Sequence, residues 1–295
     1  MNEKRKVALV LSSGGARGFA HIGAIEELLE QGFEITSVAG TSMGALIGGM
    51  FAAGKLKEVA EWMFSLDRKK ILSLLDVSLS LNHVVKGDRV IHALSQIVPD
   101  RKIESLPIPY CAVAADLRQS REIVFDRGSL YAAIRSSISV PSFLKPLQTK
   151  TMTLVDGGVV NPLPLNRVQR TEGDLLVAVN VSGHNSADWD MLRRSLANRR
   201  AHPLWKNIRN ALPARIFDDN YYSLLIRTFC LMIQQNAALS LRLTPPDILV
   251  NIPMNRFGGF DYDRAEHIAR AGRVKMREAL RDYFSNSPLS AAAGG

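Results

Sequence analysis

The amino-terminal part of the sequence contains two successive units in which a short apolar segment runs into a turn and then into a helical pattern. Lys6–Leu11 is mostly apolar and is followed by a Ser-Ser-Gly-Gly turn, after which apolar residues recur at helical spacing as far as Gly32. Ile35–Ala39 is the second apolar segment, and Met43–Ala53 is the helix that follows it. Repeated units of this kind place their strands in parallel, with helices packed on them. We therefore predict an α/β fold whose central sheet is mostly parallel, with helices on both faces.

Strand and helix patterns continue along the rest of the chain. Residues 56–98 are mostly helical in pattern, with an interruption around residues 76–86. The return to a strand pattern near Ile248 favours one continuous α/β domain over two separate ones. Further strands are predicted at 109–115, 122–125, 153–155, 175–181 and 248–252, and further helices at 129–137, 221–243 and 262–284.

Composition and cysteine content favour an ordinary globular protein in a reducing compartment. The 295 residues are 46% hydrophobic and 22% charged, which is enough for a large buried core. The first apolar run is too short for a signal peptide, and the apolar stretch Ser223–Ile233 is interrupted by Arg227, so no membrane-spanning helix is expected. Cys111 and Cys230 lie far apart and outside any metal-ligand spacing, and we expect two reduced, buried thiols.

The formal net charge of +9 would attract a polyanion, either nucleic acid or anionic lipid head groups. Much of the excess lies between Arg193 and Arg215, a basic segment that is accompanied by Trp189, Trp205 and Phe217. Aromatic rings in such a segment could stack on bases or lie at a lipid interface. A solvated helical face whose aromatic residues anchor it to the core explains the same pattern, so the three alternatives stay open.

The five residues Gly40-Thr41-Ser42-Met43-Gly44 match the pattern G-x-S-x-G of a nucleophile elbow, in which a serine lies on a strained turn between a strand and a helix. Serine is also a preferred residue at a helix N-cap, so a cap of the following helix is the alternative. The apolar strand before the serine and the small residues after it favour the nucleophile.

The first predicted strand also runs into a glycine-rich turn that opens a helix. Backbone N–H groups at such a turn could stabilise the oxyanion of a tetrahedral intermediate or cradle a phosphate. No Gly-Lys-Ser/Thr follows, which excludes a P-loop, and the glycine spacing does not match a dinucleotide fingerprint. A turn needed only for packing would leave its arginine unexplained. The turn consists of Ser13, Gly14, Gly15, Ala16, Arg17 and Gly18.

A serine nucleophile needs a base, and the sequence offers two kinds. Asp156 follows an apolar strand and precedes Gly157 and Gly158, which would hold it at the carboxyl edge of the sheet, where sites of parallel α/β sheets lie. A plain Asp-Gly-Gly turn is the alternative. His184 or His267 would complete a Ser-Asp-His order, although only their order supports it. The other histidines are expected at structural or surface positions: His21, His83, His92 and His202.

In their order and spacing, the turn at 13–18, the elbow at 40–44 and the motif at 156–158 resemble the patatin-like phospholipase family, above all its bacterial members and the catalytic domain of neuropathy target esterase. Flanking segments are similar too, among them Phe19–Gly23 after the turn and Asn161–Pro164 after the aspartate. The resemblance is close over residues 7–166 and looser from there to about residue 284.

This resemblance implies a three-layer patatin-like fold. A catalytic core would span 7–166, a carboxyl-terminal part over 167–284 would complete the same domain, and 285–295 would be a disordered tail. The resemblance also implies a serine lipid-ester hydrolase that uses a Ser-Asp dyad, with no catalytic histidine. No cofactor is expected, since the sequence has neither a metal-binding cluster nor an EF-hand loop. Ser42 would be the nucleophile and Asp156 the base, while the backbone of Gly14, Gly15 and Ala16 would form the oxyanion hole, with Arg17 beside it. The family usually has glycine where this chain has Ser13.

The expected substrate is a phospholipid or lysophospholipid that passes through an acyl-enzyme intermediate. An aspartate can act as the base only in a water-poor cleft, and such a cleft suits an acyl chain. An acyltransferase with the same nucleophile and a catalytically weak regulatory protein are the alternatives. The basic charge suits a cytoplasmic protein that associates peripherally with an anionic membrane surface at the inner membrane face. Nucleic acid is not an expected partner, and the sequence does not set the oligomeric state.

Overall fold

The fold is taken from a computed structural model, which describes residues 5–74, 85–183 and 221–286. His184, the basic segment between Arg193 and Arg215 and the last nine residues, 287–295, lie outside the described residues.

The described residues contain eight strands that form one sheet. The strands are β1 Lys6–Leu11, β2 Glu34–Thr41, β3 Tyr110–Asp116, β4 Arg121–Phe125, β5 Leu147–Gln148, β6 Thr153–Asp156, β7 Leu175–Gly183 and β8 Ile248–Pro253. Their order is β5-β6-β3-β2-β1-β7-β8, with β4 paired to β3 outside this path. The pairs from β3 through β2, β1 and β7 to β8 are parallel. β4 and β6 are antiparallel to β3, and β5 is antiparallel to β6.

Helices cover both faces of this sheet. Val7, Leu9 and Leu11 of β1 belong to the larger hydrophobic cluster, whereas Ala8 and Val10 belong to a second cluster, and all five are fully buried. Because successive side chains of a strand point to opposite faces, a strand that is apolar throughout must be covered on both sides. The described helices are α1 Ala20–Glu30, α2 Met43–Ala52, α3 Leu56–Phe64, α4 Arg68–Leu74, α5 Asp88–Ile97, α6 Leu130–Ser137, α7 Tyr221–Leu243 and α8 Ala265–Asn286.

The two clusters define the layers. The larger one contains residues of α1, α2, α3 and α8, and the second contains Leu163, Leu165 and Val168 with Ala237 of α7. The predicted α/β class, with a mostly parallel sheet between helices, is confirmed. The antiparallel hairpin around β5 was not predicted, because a two-residue strand leaves no periodic pattern. The helical pattern also extends further than expected, since α8 includes Ser285 and Asn286.

Ion pairs join α1 to α8. The Glu27 side chain is fully buried and accepts hydrogen bonds from Nε and Nη2 of Arg277 at 2.8 and 2.7 Å. These hydrogen bonds hold the pKa of Glu27 below its usual value. Arg273 of α8 in turn bonds Glu26 and Glu30 at 2.8 Å. The first and last helices of the described chain are therefore held together across the larger cluster.

The helix α7 differs from the expectation drawn from the sequence. By length and composition alone, its 20 residues Leu224–Leu243 are enough to cross a membrane. The expectation that the chain contains no helix of this kind is wrong. Arg227 interrupts the apolar residues, but the apolar composition continues beyond it to Leu243. Cys111 is buried as predicted, whereas Cys230 on α7 is only half-buried, and both thiols are free.

Candidate active site

Ser42 lies on the turn that connects β2 to α2. Its φ of 58° and ψ of −122° are values that residues other than glycine rarely adopt, and such a conformation costs on the order of 1–3 kcal/mol. The Ser137 hydroxyl accepts a hydrogen bond from the Ser42 backbone N–H at 2.8 Å and donates one to the Val113 carbonyl at 2.6 Å. The Ser42 side chain makes no capping hydrogen bond to α2. The turn therefore has the geometry of a strained elbow and not that of an ordinary N-cap.

Two glycines of the elbow are required by close packing. A Cβ atom on Gly40 would lie 2.4 Å from the backbone of Gly44, and a Cβ on Gly44 would lie 2.2 Å from the carbonyl oxygen of Leu11. Both distances are shorter than any non-bonded contact of a real side chain. Gly40 therefore lets β2 approach the start of α2, and Gly44 lets α2 pack against the end of β1.

Asp156 ends β6 next to this turn. Its carboxyl is fully buried, and Oδ1 accepts a hydrogen bond from the Gly158 N–H at 2.7 Å. Oδ2 is buried and has no well-aligned hydrogen bond within the described part of the chain. The Ser42 side chain nevertheless lies close enough to lower the pKa of Asp156 as a hydrogen-bond partner, and catalytic hydrogen bonds are often poorly aligned without substrate. The fold therefore brings together two side chains that are 114 positions apart in sequence.

Burial sets the protonation of this carboxyl. Desolvation raises the pKa of Asp156 from 3.8 to about 7, and the nearby Ser42 side chain and the hydrogen bond from Gly158 only partly oppose it. A carboxylate with a pKa near 7 is a far better proton acceptor than one with a pKa near 4. The arrangement can therefore activate a hydroxyl without a histidine.

The glycine-rich turn lies beside Ser42 and continues into a short 3-10 helix, Gly15–Phe19. Gly15 has a φ of +58°, a left-handed value that favours glycine. The Ala16 N–H donates to the carbonyl oxygen of Gly259 at 2.9 Å. No acceptor for the N–H groups of Gly14 and Gly15 is found among residues 5–74, 85–183 and 221–286. Of the three N–H groups predicted to form an oxyanion hole, that of Ala16 is already used, so the prediction can hold only for Gly14 and Gly15.

Arg17 and Ser13 both have structural contacts around this turn. The Arg17 guanidinium is buried and donates to the carbonyl oxygens of Gly14 at 2.9 Å and Met254 at 3.0 Å. Ser13 is buried as well; its N–H donates to Pro162 at 2.8 Å and its carbonyl accepts from the Ser182 hydroxyl at 2.8 Å. The Ser13 hydroxyl lies beside Gly158, where a Cβ atom would approach it to 2.9 Å. Gly18, the last motif residue of the turn, packs against Met43.

Two of the described histidines, His21 and His267, make contacts of other kinds. His21 is fully buried, shares a hydrogen bond of 2.9 Å between Nε2 and the Ser12 carbonyl, and has a pKa lowered to about 4 by burial. It is thus structural, as predicted. His267 is exposed on α8 and contacts the ring of Phe257. Neither of these two histidines lines the pocket described next.

The pocket at Ser42 is mainly apolar. The cavity has a volume of about 190 Å³, counted as the space that the centre of a water molecule can occupy. The residues that line the pocket from α3, α4, α5 and α7 were not predicted, since apolar residues of a helix form no recognisable motif. Among the lining residues are Ser13, Gly14, Gly15, Arg17, Ser42, Trp62, Leu66, Val90, Ile138, Phe143, Ile226, Phe229, Cys230, Ile233, Phe260 and Tyr262.

Tyr262, three residues before the start of α8, also lines the pocket. Its ring packs edge-on against Phe19 at 6.0 Å between centroids. Burial, together with the negative charge of Asp156, raises the pKa of Tyr262 to about 12, so the phenol stays neutral. The described residues contain no group of three His, Cys, Asp or Glu side chains that could hold a metal ion.

Several known proteins are similar to this chain. An NTE family protein of Mycobacterium bovis is 33% identical over 341 residues, which cover 98% of this chain and 95% of that protein. Patatin-like phospholipase domain-containing protein 7 of the mouse is 32% identical over 192 residues, which cover 62% of this chain and 14% of that protein. The crystal structure of VipD from Legionella pneumophila has a TM-score of 0.48 and 13% identity, covering 95% of this chain and 67% of that one. The model of the patatin-like phospholipases matches residues 9–168. The chain therefore belongs to the patatin-like phospholipase family, whose members are in general lipid hydrolases.

Proposed function

We propose that the protein is a serine lipid-ester hydrolase of the phospholipase or lysophospholipase type. Ser42 is the nucleophile and Asp156 the base of a two-residue dyad. The observation that carries this proposal is the buried carboxyl of Asp156, with a pKa of about 7, beside the Ser42 side chain at one end of an apolar pocket. Family membership supports the lipid-hydrolase class, and the dyad is supported by the motif resemblance together with the position of the Ser42 side chain beside Asp156.

In the first half-reaction, the Ser42 hydroxyl oxygen attacks the ester carbonyl while its proton passes to the Asp156 carboxylate. The N–H groups of Gly14 and Gly15 stabilise the negative charge that develops on the carbonyl oxygen. The bond to the leaving alcohol then breaks, and the protonated carboxyl returns the proton to the alcohol oxygen. The product is an ester between the acyl group and Ser42.

In the second half-reaction, a water molecule gives its proton to Asp156 and attacks the acyl-enzyme. The bond between the acyl carbon and Ser42 breaks, and the serine oxygen takes the proton back. Burial is required in both steps, because a fully hydrated aspartate would have its ordinary low pKa and would be a weak base.

The pocket walls argue for a substrate with a long apolar part. Trp62, Phe143 and Phe229 line the pocket together with several aliphatic side chains, and such walls bind acyl chains better than polar groups. Phospholipids and lysophospholipids combine an acyl chain with an ester at its end. We also propose that the protein acts in the cytoplasm, peripherally at the inner membrane face, where its net charge of +9 attracts anionic head groups.

Labelling with a fluorophosphonate tests the nucleophile. We expect the wild-type protein to be labelled and Ser42→Ala to remain unlabelled, with the exposed Ser65→Ala as a matched control that is labelled normally. Asp156→Asn is expected to be nearly inactive on lysophospholipids and diacyl phospholipids, whereas His267→Ala retains full activity. Normal turnover by Asp156→Asn, or loss of turnover in a folded His267→Ala protein, would refute the dyad.

A further inference from the structure

The helix α7 has two apolar faces, and only one of them packs against residues within 5–74, 85–183 and 221–286. On the inner face, Ile233 and Ala237 are buried, and Ile226 and Phe229 line the pocket. The side chain of Asn236 donates to the carbonyl oxygen of Val159 at 3.0 Å, next to the turn that holds Asp156. The inner face is therefore a wall of the active site.

The outer face is apolar as well, and it is exposed. Six of the eleven large hydrophobic residues that are exposed in the described part of the chain belong to this one helix. Leu243 is 75% exposed and Leu224 60%. A contiguous exposed apolar surface of this kind marks an interaction site more often than ordinary protein surface. The six residues are Leu224, Leu225, Leu231, Met232, Leu239 and Leu243.

The charges on α7 favour a lipid surface as the partner. Arg227 and Arg242, both exposed and near opposite ends of the helix, are its only charged residues, and it contains no Asp or Glu. Arginine side chains can extend from an apolar face to the phosphates of lipid head groups. An apolar helix face flanked by basic residues is typical of helices that lie in the plane of a membrane interface.

The contacts of the inner face decide how such a helix would meet the bilayer. If α7 crossed the membrane, Ile233 and Ala237 would have to leave the core, and the bond from Asn236 to Val159 would break. If α7 lies flat on the membrane, all of these contacts remain and only the outer face enters the lipid.

We infer that α7 is an interfacial helix that docks on an anionic lipid bilayer, with its outer face inserted among the acyl chains and its inner face forming the wall of the pocket. This inference rests on the proposed function, since it identifies the surface through which a lipid ester would reach Ser42. Docking brings the pocket wall and the bilayer into contact, so that an acyl chain enters the pocket without crossing bulk water.

Binding to vesicles tests the docking surface separately from catalysis. The protein used is Ser42→Ala, which cannot hydrolyse the vesicles, and the vesicles contain phosphatidylcholine either alone or mixed with phosphatidylglycerol. We expect co-sedimentation with the mixed vesicles. The double substitution Leu231→Glu with Leu239→Glu should weaken it at least about tenfold, because two apolar contacts are replaced by charges that the anionic surface repels. Val274→Glu, at an exposed apolar position on α8 (49% exposed), is the matched control and should bind normally.

Two further measurements separate the alternatives. In the otherwise wild-type protein, the double variant should hydrolyse a short-chain soluble ester normally, because its positions lie on the outer face. If the wild-type protein does not hydrolyse the soluble ester, the proposed function is refuted, and vesicle binding remains an independent result. The docking inference is wrong if the double variant binds vesicles as tightly as its parent. It is also wrong if Ser42→Ala does not bind the vesicles and the double substitution instead dissociates a dimer in light scattering or lowers the Tm. Another copy of the chain, or another segment of it, would then cover the outer face.

Discussion

Replacement of Asp156 by asparagine isolates the free energy that is needed to keep an ionised carboxylate in the buried site. The pKa of Asp156 is raised from 3.8 to about 7, and each pKa unit corresponds to about 1.4 kcal/mol, so the ionised group lowers the free energy of unfolding by about 4 kcal/mol above pH 7. Asparagine has the same shape and no charge. Its Oδ1 can still accept from the Gly158 N–H, and its Nδ2 can donate to the Ser42 hydroxyl.

The sign of the pH dependence follows from proton binding. Between pH 3.8 and about 7 the folded protein holds a proton on Asp156 that the unfolded chain has lost, so the contribution of this group to stability falls as the pH rises. Below pH 3.8 the penalty disappears, and above pH 7 it is constant. Asp156→Asn is therefore expected to be more stable than the wild type at neutral pH, although it has lost its activity.

Urea unfolding at several pH values measures this penalty. The difference in the free energy of unfolding between Asp156→Asn and the wild type should grow by roughly 2–3 kcal/mol from pH 5 to pH 8, as the raised pKa of about 7 requires. Asp126→Asn, whose side chain is 60% exposed, is the control and should show no such trend. A difference for Asp156→Asn that stays flat over this range would show that the carboxyl titrates normally, and the argument from burial would be refuted.

Three other outcomes are expected. Turnover of a soluble ester should fall as the pH drops through about 7, because the raised pKa leaves less of the ionised base; a profile flat to pH 5 would contradict this. Gly44→Ala should lose activity and several kcal/mol of stability, about 3 or more, because its Cβ would lie 2.2 Å from the Leu11 carbonyl; normal activity and an unchanged Tm would contradict the close packing. Glu27→Gln should lower the free energy of unfolding by about 1–3 kcal/mol through loss of its pair with Arg277, whereas Glu30→Gln, with a side chain 54% exposed, should change it little; equal effects would show that burial does not matter.

The sequence predicted those features of the fold and site that are local in the chain. The elbow around Ser42 and the turn at 13–18 each lie between a strand and a helix, so residue type and hydrophobic period suffice to identify them. That Asp156 lies beside Ser42 came from the family resemblance. No local pattern links two side chains on β6 and on the turn after β2, but a recognised arrangement of motifs does.

Other features of the site depend on contacts between distant parts of the chain. The Ala16 amide was predicted as an oxyanion donor, and nothing near it in sequence indicates that Gly259 takes its N–H. The pocket wall formed by α7 was missed for a similar reason, because Ile226 and Phe229 are ordinary apolar residues of a long helix. The position of α7 depends on contacts with distant segments, such as the hydrogen bond from Asn236 to Val159 and the packing of Ala237 in the second cluster, and these contacts cannot be derived from the helix alone.

The loop after β8 accepts two hydrogen bonds from the glycine-rich turn, and this limits how short a fragment with an intact turn can be. Met254 accepts a hydrogen bond from Arg17, and Gly259 accepts one from Ala16. A fragment that stops at residue 168, where the family match ends, would keep Ser42 and Asp156 but would lack both acceptors. The turn that carries Gly14 and Gly15 would then lose two of the hydrogen bonds that hold it. A fragment that keeps these hydrogen bonds has to extend at least to Gly259, well beyond the segment by which the family is recognised.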